Sequence, residues 1–166
     1  LAMAAKWYIN RFEQLGFSVQ TIQNKNASYR PLIVAVRPPK NGCETHVGFF
    51  HHYDVEPVRK TWDYDPWTLT EREQRAYGRG MADNIGPFIQ RLLFIEHTSV
   101  NVGLVFVVQG EEEIGSPFAD VIYPTLKLPK VDLWIEETGY FYKNGSQRVL
   151  TVGSHALLDD LSLIHI

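Results

Sequence analysis

Apolar residues recur along this chain with two periods, one near 3.6 and one near 2, and they alternate in a way that predicts mixed helices and strands. Trp7, Ile9, Phe12 and Leu15 fall near helical spacing with Lys6, Arg11 and Glu13 between them, so residues 2–15 predict an amphipathic helix stopped at Gly16. Residues 17–22 alternate apolar and polar positions as a half-buried strand does, and residues 32–36 form a short β-branched strand ended by Pro38-Pro39. Residues 45–51 predict a third strand. Residues 102–108 are apolar on both faces, the pattern of a central strand. Helical patterns cover residues 85–97 and 117–128, the second with Phe118, Val121, Ile122 and Leu126 inward and Pro124 bending or ending it. Residues 131–135 and 148–152 predict the last strands, with a turn at 140–147 between them. Residues 55–77 read as a loop whose Trp62, Tyr64, Pro66, Trp67 and Tyr77 cover the sheet or wall a pocket.

The apolar strands share an unusual ending. The run Val47 to Phe50 gives way abruptly to His51-His52-Tyr53-Asp54. In extended backbone His52 and Asp54 point to one side and His51 and Tyr53 to the other. A carboxylate two residues beyond a histidine can hold the ring in the tautomer a metal needs. The same composition also fits a polar strand end meeting solvent. The strand over 102–108 then ends in Glu111-Glu112-Glu113, and the strand over 131–135 in Glu136-Glu137. Gly78 and Gly80 permit a tight path that delivers Asp83 to a helix start, where a carboxylate is favoured. In a mostly parallel sheet these ends share one rim. Clustered carboxylates repel and take up protons unless cations neutralise them. A divalent metal is the economical solution, and histidine with carboxylates suits zinc, manganese or cobalt better than calcium. Two ions bridged by one carboxylate use more of the negative charge than one ion does. A single Glu run would more simply be a solvated loop, but three strand ends in one chain favour metal.

Composition narrows the class. With 16 basic and 19 acidic residues the net charge is −3, which gives no electrostatic reason to expect nucleic acid or a membrane surface as a partner. No apolar run is long enough to cross a bilayer. The single Cys43 rules out an internal disulfide and fits a reducing, cytoplasmic setting. At 166 residues, 45% of them hydrophobic, the chain suffices for one domain with a real core.

Four ordered stretches carry a resemblance: His52-Tyr53-Asp54-Val55-x-Pro57, Tyr77-Gly78-Arg79-Gly80-x-x-Asp83-Asn84-x-Gly86, Gly110-Glu111-Glu112-Glu113-Ile114-Gly115-Ser116 and Glu137-Thr138-Gly139. Together they resemble the dinuclear zinc peptidases and amidohydrolases that include carnosinase, aminoacylase and succinyl-diaminopimelate desuccinylase, and the Glu stretch most resembles the carnosinase-like dipeptidases. The resemblance implies an α/β, three-layer catalytic domain, with a central mostly parallel (mixed) sheet flanked by helices and incomplete here. It implies two divalent ions, zinc first, with His52 and Glu137 on one, Glu113 on the other and Asp83 bridging them. Glu136 takes the place of Glu137 if the alignment slips by one residue. Glu112 matches the general base, Asp54 the acid behind His52, and Asp83–Asn84 a cis peptide. Glu111 is expected on the opposite side of an extended strand, away from the site. The implied reaction is hydrolysis of a small peptide or an N-acyl amino acid.

Residues 1–153 match the N-terminal part of such a catalytic domain, and 154–166 form an unmatched tail. Ser154-His155-Ala156 stands where members usually read Leu-Arg-Gly, before a lid and dimerisation domain through which the family forms homodimers. The family's late histidine ligand and its lid histidine lie in those later segments. The sequence therefore predicts either a truncated copy of the enzyme or a non-catalytic fragment with a partial metal site, and exposed sheet edges in both cases.

Overall fold

The same two periods build the fold of the computed structural model, which describes residues 1–27, 30–59, 61–141 and 147–153, with side chains described through Glu136. Helix α1 (Ala2–Gln14) buries Ala5, Tyr8 and Phe12, which lie on one stripe at three- and four-residue spacing. That stripe is rotated from the expected one: Trp7 is 46% exposed, while Ile9 and Leu15 pack at the margin of the core. Strands β1 (Ser18–Ile22), β2 (Leu32–Arg37) and β3 (His46–His52) follow, then a hairpin of β4 (Thr70–Arg72) and β5 (Arg75–Tyr77). Helix α2 (Ile85–His97), strand β6 (Gly103–Gln109), the short helix α3 (Ala119–Ile122) and strands β7 (Leu133–Phe141) and β8 (Gln147–Gly153) complete the order.

The main sheet runs β1-β2-β6-β3-β7-β8. Strand β3 is parallel to both β6 and β7, whereas β2 and β8 are antiparallel to their inner neighbours. All seven residues of β6 are buried, as its two-sided apolar pattern predicts. Leu104, Phe106 and Val108 face α1 and α2, while Val105 and Val107 face Ala119, Tyr123 and Trp134 on the other side. Helices thus cover both faces of the sheet, and the layer order is the expected one. Phe106 anchors the first face, with ring centroids of Phe12, Phe17, Phe49 and Phe88 at 5.1, 5.7, 4.7 and 5.9 Å. Each such pair adds roughly 0.5–1.5 kcal/mol beyond simple burial.

Three elements differ from the sequence expectation. The 55–77 loop contains the β4–β5 hairpin, turned through Glu73 and Gln74 at φ 49° and 61°. No glycine or asparagine marks that turn. Residues 117–128 hold only four α-helical residues before a 3₁₀ turn at Tyr123–Thr125, since Pro124 stops the helix. Ala119 and Tyr123 are its buried residues, and the expected Phe118, Ile122 and Leu126 pack beside them, whereas Val121 is 70% exposed. Strand β7 continues to Phe141 instead of stopping before Glu136, so Tyr140 and Phe141 are strand and not turn, and the rest of the expected turn, 142–146, lies outside the described residues. The 154–166 tail also lies outside them. Among the described residues no helix is long and apolar enough to cross a membrane.

Candidate metal centre

The carboxyl ends of β3 and β6 lie side by side, because their parallel register runs from His46↔Gly103 to His52↔Gln109. Side-chain alternation along β3 decides which histidine reaches the rim. His51 and Tyr53 turn into the aromatic core, where His51 meets Phe88 and Phe106 with centroids 5.0 and 6.1 Å away. His52 takes the opposite side and is fully buried. Its Nδ1 lies 3.0 Å from the main-chain O of Asp54 and 3.3 Å from Asp54 Oδ1. Its Nε2 lies 2.9 Å from Asp83 Oδ1.

Both nitrogens of this ring therefore face acceptors. A neutral imidazole donates from one nitrogen only, so the arrangement calls for a second proton or a metal ion at Nε2. Ligand atoms of His52, Glu112 and Glu113 lie within 4.8 Å of one another. Zinc binds nitrogen and carboxylate oxygen at about 2.0–2.2 Å, and two such ligands on one ion stand roughly 3 Å apart, which the His52–Asp83 spacing fits. The carboxyl of Glu113 is pushed up to about 6, first by burial and then by the neighbouring Asp83 charge, with His52 opposing. The donors present thus match a divalent cation in charge and kind.

Asp54 holds the arrangement together. It is buried, and its Oδ1 and Oδ2 accept the main-chain N–H groups of Glu112 and Glu113 at 3.2 and 3.1 Å. One carboxylate thereby faces the His52 ring and the turn that carries both glutamates. That turn is a 3₁₀ segment over Glu112–Ile114, closed by Gly115 at φ 84°. Glu111 faces away from the cluster, as expected, but the reason is this turn and not an extended strand. It is buried and accepts from Asn24 Nδ2 at 2.6 Å and from the Phe118 N–H at 3.0 Å. Gly110 lets the backbone pass over the Tyr53 ring, since a Cβ there would come within 2.4 Å of it. Asp83 arrives through Gly80 at φ 83° and a cis Asp83–Asn84 peptide, with Asn84 capping α2. Gly86 is required by the same path, because its Cβ would lie 1.9 Å from the Met81 carbonyl oxygen.

The structure thus brings together His52, Asp54, Asp83, Glu112 and Glu113. Glu136 and Glu137 belong to β7, and the Glu137 side chain lies outside the described residues. The β3–β7 ladder ends at Phe49↔Ile135, one residue before Glu136. The sequence left three supports unseen: the Asn24–Glu111 bond, the Tyr53 hydroxyl donating to the Pro31 carbonyl at 2.7 Å, and Arg91 between His51 and the Glu136 carbonyl.

With this geometry in hand, similarity to known proteins is informative. Residues 48–145, more than half of the chain, match the family described as Peptidase family M20/M25/M40, and the chain belongs to that family. The chain is 35% identical over 118 residues to the cysteinylglycine-S-conjugate dipeptidase of Corynebacterium striatum, covering 68% of this chain and 25% of that protein. It is 29% identical over 113 residues to the rat Beta-Ala-His dipeptidase, covering 64% of this chain and 23% of that one. Human carnosine dipeptidase 1 shares its fold with a TM-score of 0.72 at 22% identity, over 84% of this chain and 33% of that one. An M20 family metallo-carboxypeptidase from Sulfolobus solfataricus superposes with a TM-score of 0.69 at 27% identity, over 85% and 33%. The chain therefore spans about a quarter of the length of these curated relatives and a third of the structural ones.

Proposed function

We propose that the chain is the N-terminal part of a dipeptidase-type metallohydrolase catalytic domain acting on a small peptide or N-acyl amino acid. The observation that carries this reading is the buried His52 ring with acceptors at both nitrogens, set against Asp83, Glu112 and Glu113. His52, Asp83 and Glu137 would hold one divalent ion, and Asp83 and Glu113 a second, with zinc favoured over manganese or cobalt. When bound, the ions supply an acidified water and polarise the amide carbonyl. Glu112 removes the proton from the attacking water and returns it to the amine nitrogen as the C–N bond breaks. Asp54 keeps the proton of His52 on Nδ1, leaving Nε2 as the donor atom. The names of the relatives support a dipeptide substrate, and the lone Cys43 supports a reducing compartment.

A zinc titration run beside a dipeptide-hydrolysis assay tests the proposal. Zinc uptake with turnover that Glu112→Ala abolishes, while uptake persists, supports the enzyme. Uptake without any turnover supports a non-catalytic fragment with a partial site, and no uptake by the unsubstituted chain refutes the metal centre.

A further inference from the structure

Arg91 lies in the middle of α2, at a position where an amphipathic helix would ordinarily carry a solvated charge. Instead its guanidinium reaches into the sheet beside the candidate metal centre. One terminal nitrogen, Nη1, contacts Nε2 of the fully buried His51, and the other, Nη2, donates to the Glu136 carbonyl oxygen at 2.8 Å. The guanidinium carbon lies over Phe49, 5.5 Å from the ring centre. These contacts fall where the sheet is interrupted. Strand β3 pairs with β7 as far as Phe49↔Ile135, whereas it follows β6 on to His52. Beyond Ile135 the register of β7 against β8 is irregular as well. Arg91 thus replaces the strand partner of β7 one residue before Glu137.

We propose that Arg91 and His51 form a positioning relay that fixes the β7 segment bearing Glu137 relative to His52. The inference rests on the metal-centre reading for its consequence and on the contacts above for its geometry. Chemistry sets the tautomer of His51. An arginine has no acceptor and stays protonated, so the Nε2 it faces must be the lone-pair nitrogen and the ring proton sits on Nδ1. The relay therefore runs from His51, next to His52, through Arg91 to the Glu136 carbonyl, next to Glu137. Its two end contacts, His51 and Glu136, each adjoin one residue of the proposed His52 ion site. Outer partners of this kind change metal affinity about 10–100-fold when removed.

The test compares the unsubstituted chain with Arg91→Met, which keeps an unbranched apolar stem but removes the donors, and with Arg91→Lys. Imidazole ¹⁵N spectra of the zinc-free protein are expected to show His51 protonated on Nδ1, with the two tautomers mixed in Arg91→Met. Zinc affinity is expected to fall at least tenfold in Arg91→Met and to recover in part in Arg91→Lys, which can satisfy one of the two acceptors. Leu92→Ala, a core change on the same helix, serves as a stability control and should leave zinc affinity unchanged. An Nε2-protonated His51 in the unsubstituted chain would overturn the relay, and so would zinc binding in Arg91→Met as tight as in the unsubstituted chain. Absence of zinc binding by the unsubstituted chain would refute the metal centre and the ligand-positioning role with it, whereas unchanged affinity in Arg91→Met refutes the positioning role alone.

Discussion

Removing the Asp54 carboxylate tests how the site is assembled. In Asp54→Ala the main-chain N–H groups of Glu112 and Glu113 lose their acceptors, at 3.2 and 3.1 Å, and Nδ1 of His52 loses the Asp54 carboxylate but keeps the Asp54 carbonyl. A hydrogen bond to a charged acceptor is worth about 1.5–3 kcal/mol, and the half-buried setting argues for the lower end, so the two sum to roughly 3 kcal/mol. Removing one negative charge from an acidic cluster returns a fraction of that, leaving a net loss of about 2–3 kcal/mol in zinc-free protein. Asp54→Asn should lose nearly as much, because either amide orientation turns an NH₂ towards one of the two N–H donors. Urea unfolding in a chelator measures the stability change, and calorimetric zinc titration should show affinity lowered about 10–100-fold in both variants. Unfolding free energies within about 0.5 kcal/mol of the unsubstituted chain, with unchanged zinc affinity, would refute the claim that Asp54 joins the histidine to the glutamate turn.

Further outcomes follow from the same geometry. Because the Glu113 carboxyl is raised to about 6, the folded state favours its protonated form. The corresponding stability is fully present below about pH 4.5 and is lost as pH rises through 6. The shift is worth about 2 kcal/mol at full strength, discounted to roughly 1 kcal/mol for partial exposure. Glu113→Gln should remove that loss, seen as urea midpoints in chelator that change less between pH 4.5 and 7. Glu111→Gln should cost about 1–2 kcal/mol by mispairing with Asn24 or the Phe118 N–H, yet leave zinc affinity unchanged in titration. Gly110→Ala drives a methyl against the Tyr53 ring, which is held by the Pro31 carbonyl, and should lower the thermal midpoint by the equivalent of about 1–3 kcal/mol.

The parts of this fold that follow strong periodicity were legible in the chain. Helix α2 has its expected bounds, and the two-sided apolar run of β6 sits at the centre of the sheet. His52 was legible for a related reason: an apolar strand that ends abruptly in ionisable groups exposes them at a common rim. Features decided by tertiary contacts were not. Trp7 and Tyr8 are equally apolar to a pattern reader, and only the Phe88 ring, stacked 4.3 Å from Tyr8, decides which one is buried. Residues 140–147 read as a turn, yet pairing with β8 carries β7 on to Phe141. The β4–β5 turn uses Glu73 and Gln74 in left-handed conformations that neither residue signals. Arg91 resembles any charged residue on a helix surface until the sheet break beside it is known.

The central claim is that the buried His52 ring and its acidic neighbours form a metal centre. Calorimetric zinc titration of the unsubstituted chain against His52→Ala tests it most directly. The account predicts that the unsubstituted chain binds zinc and that His52→Ala loses at least one bound ion. No zinc uptake by the unsubstituted chain, or equal uptake and affinity in His52→Ala, would contradict it.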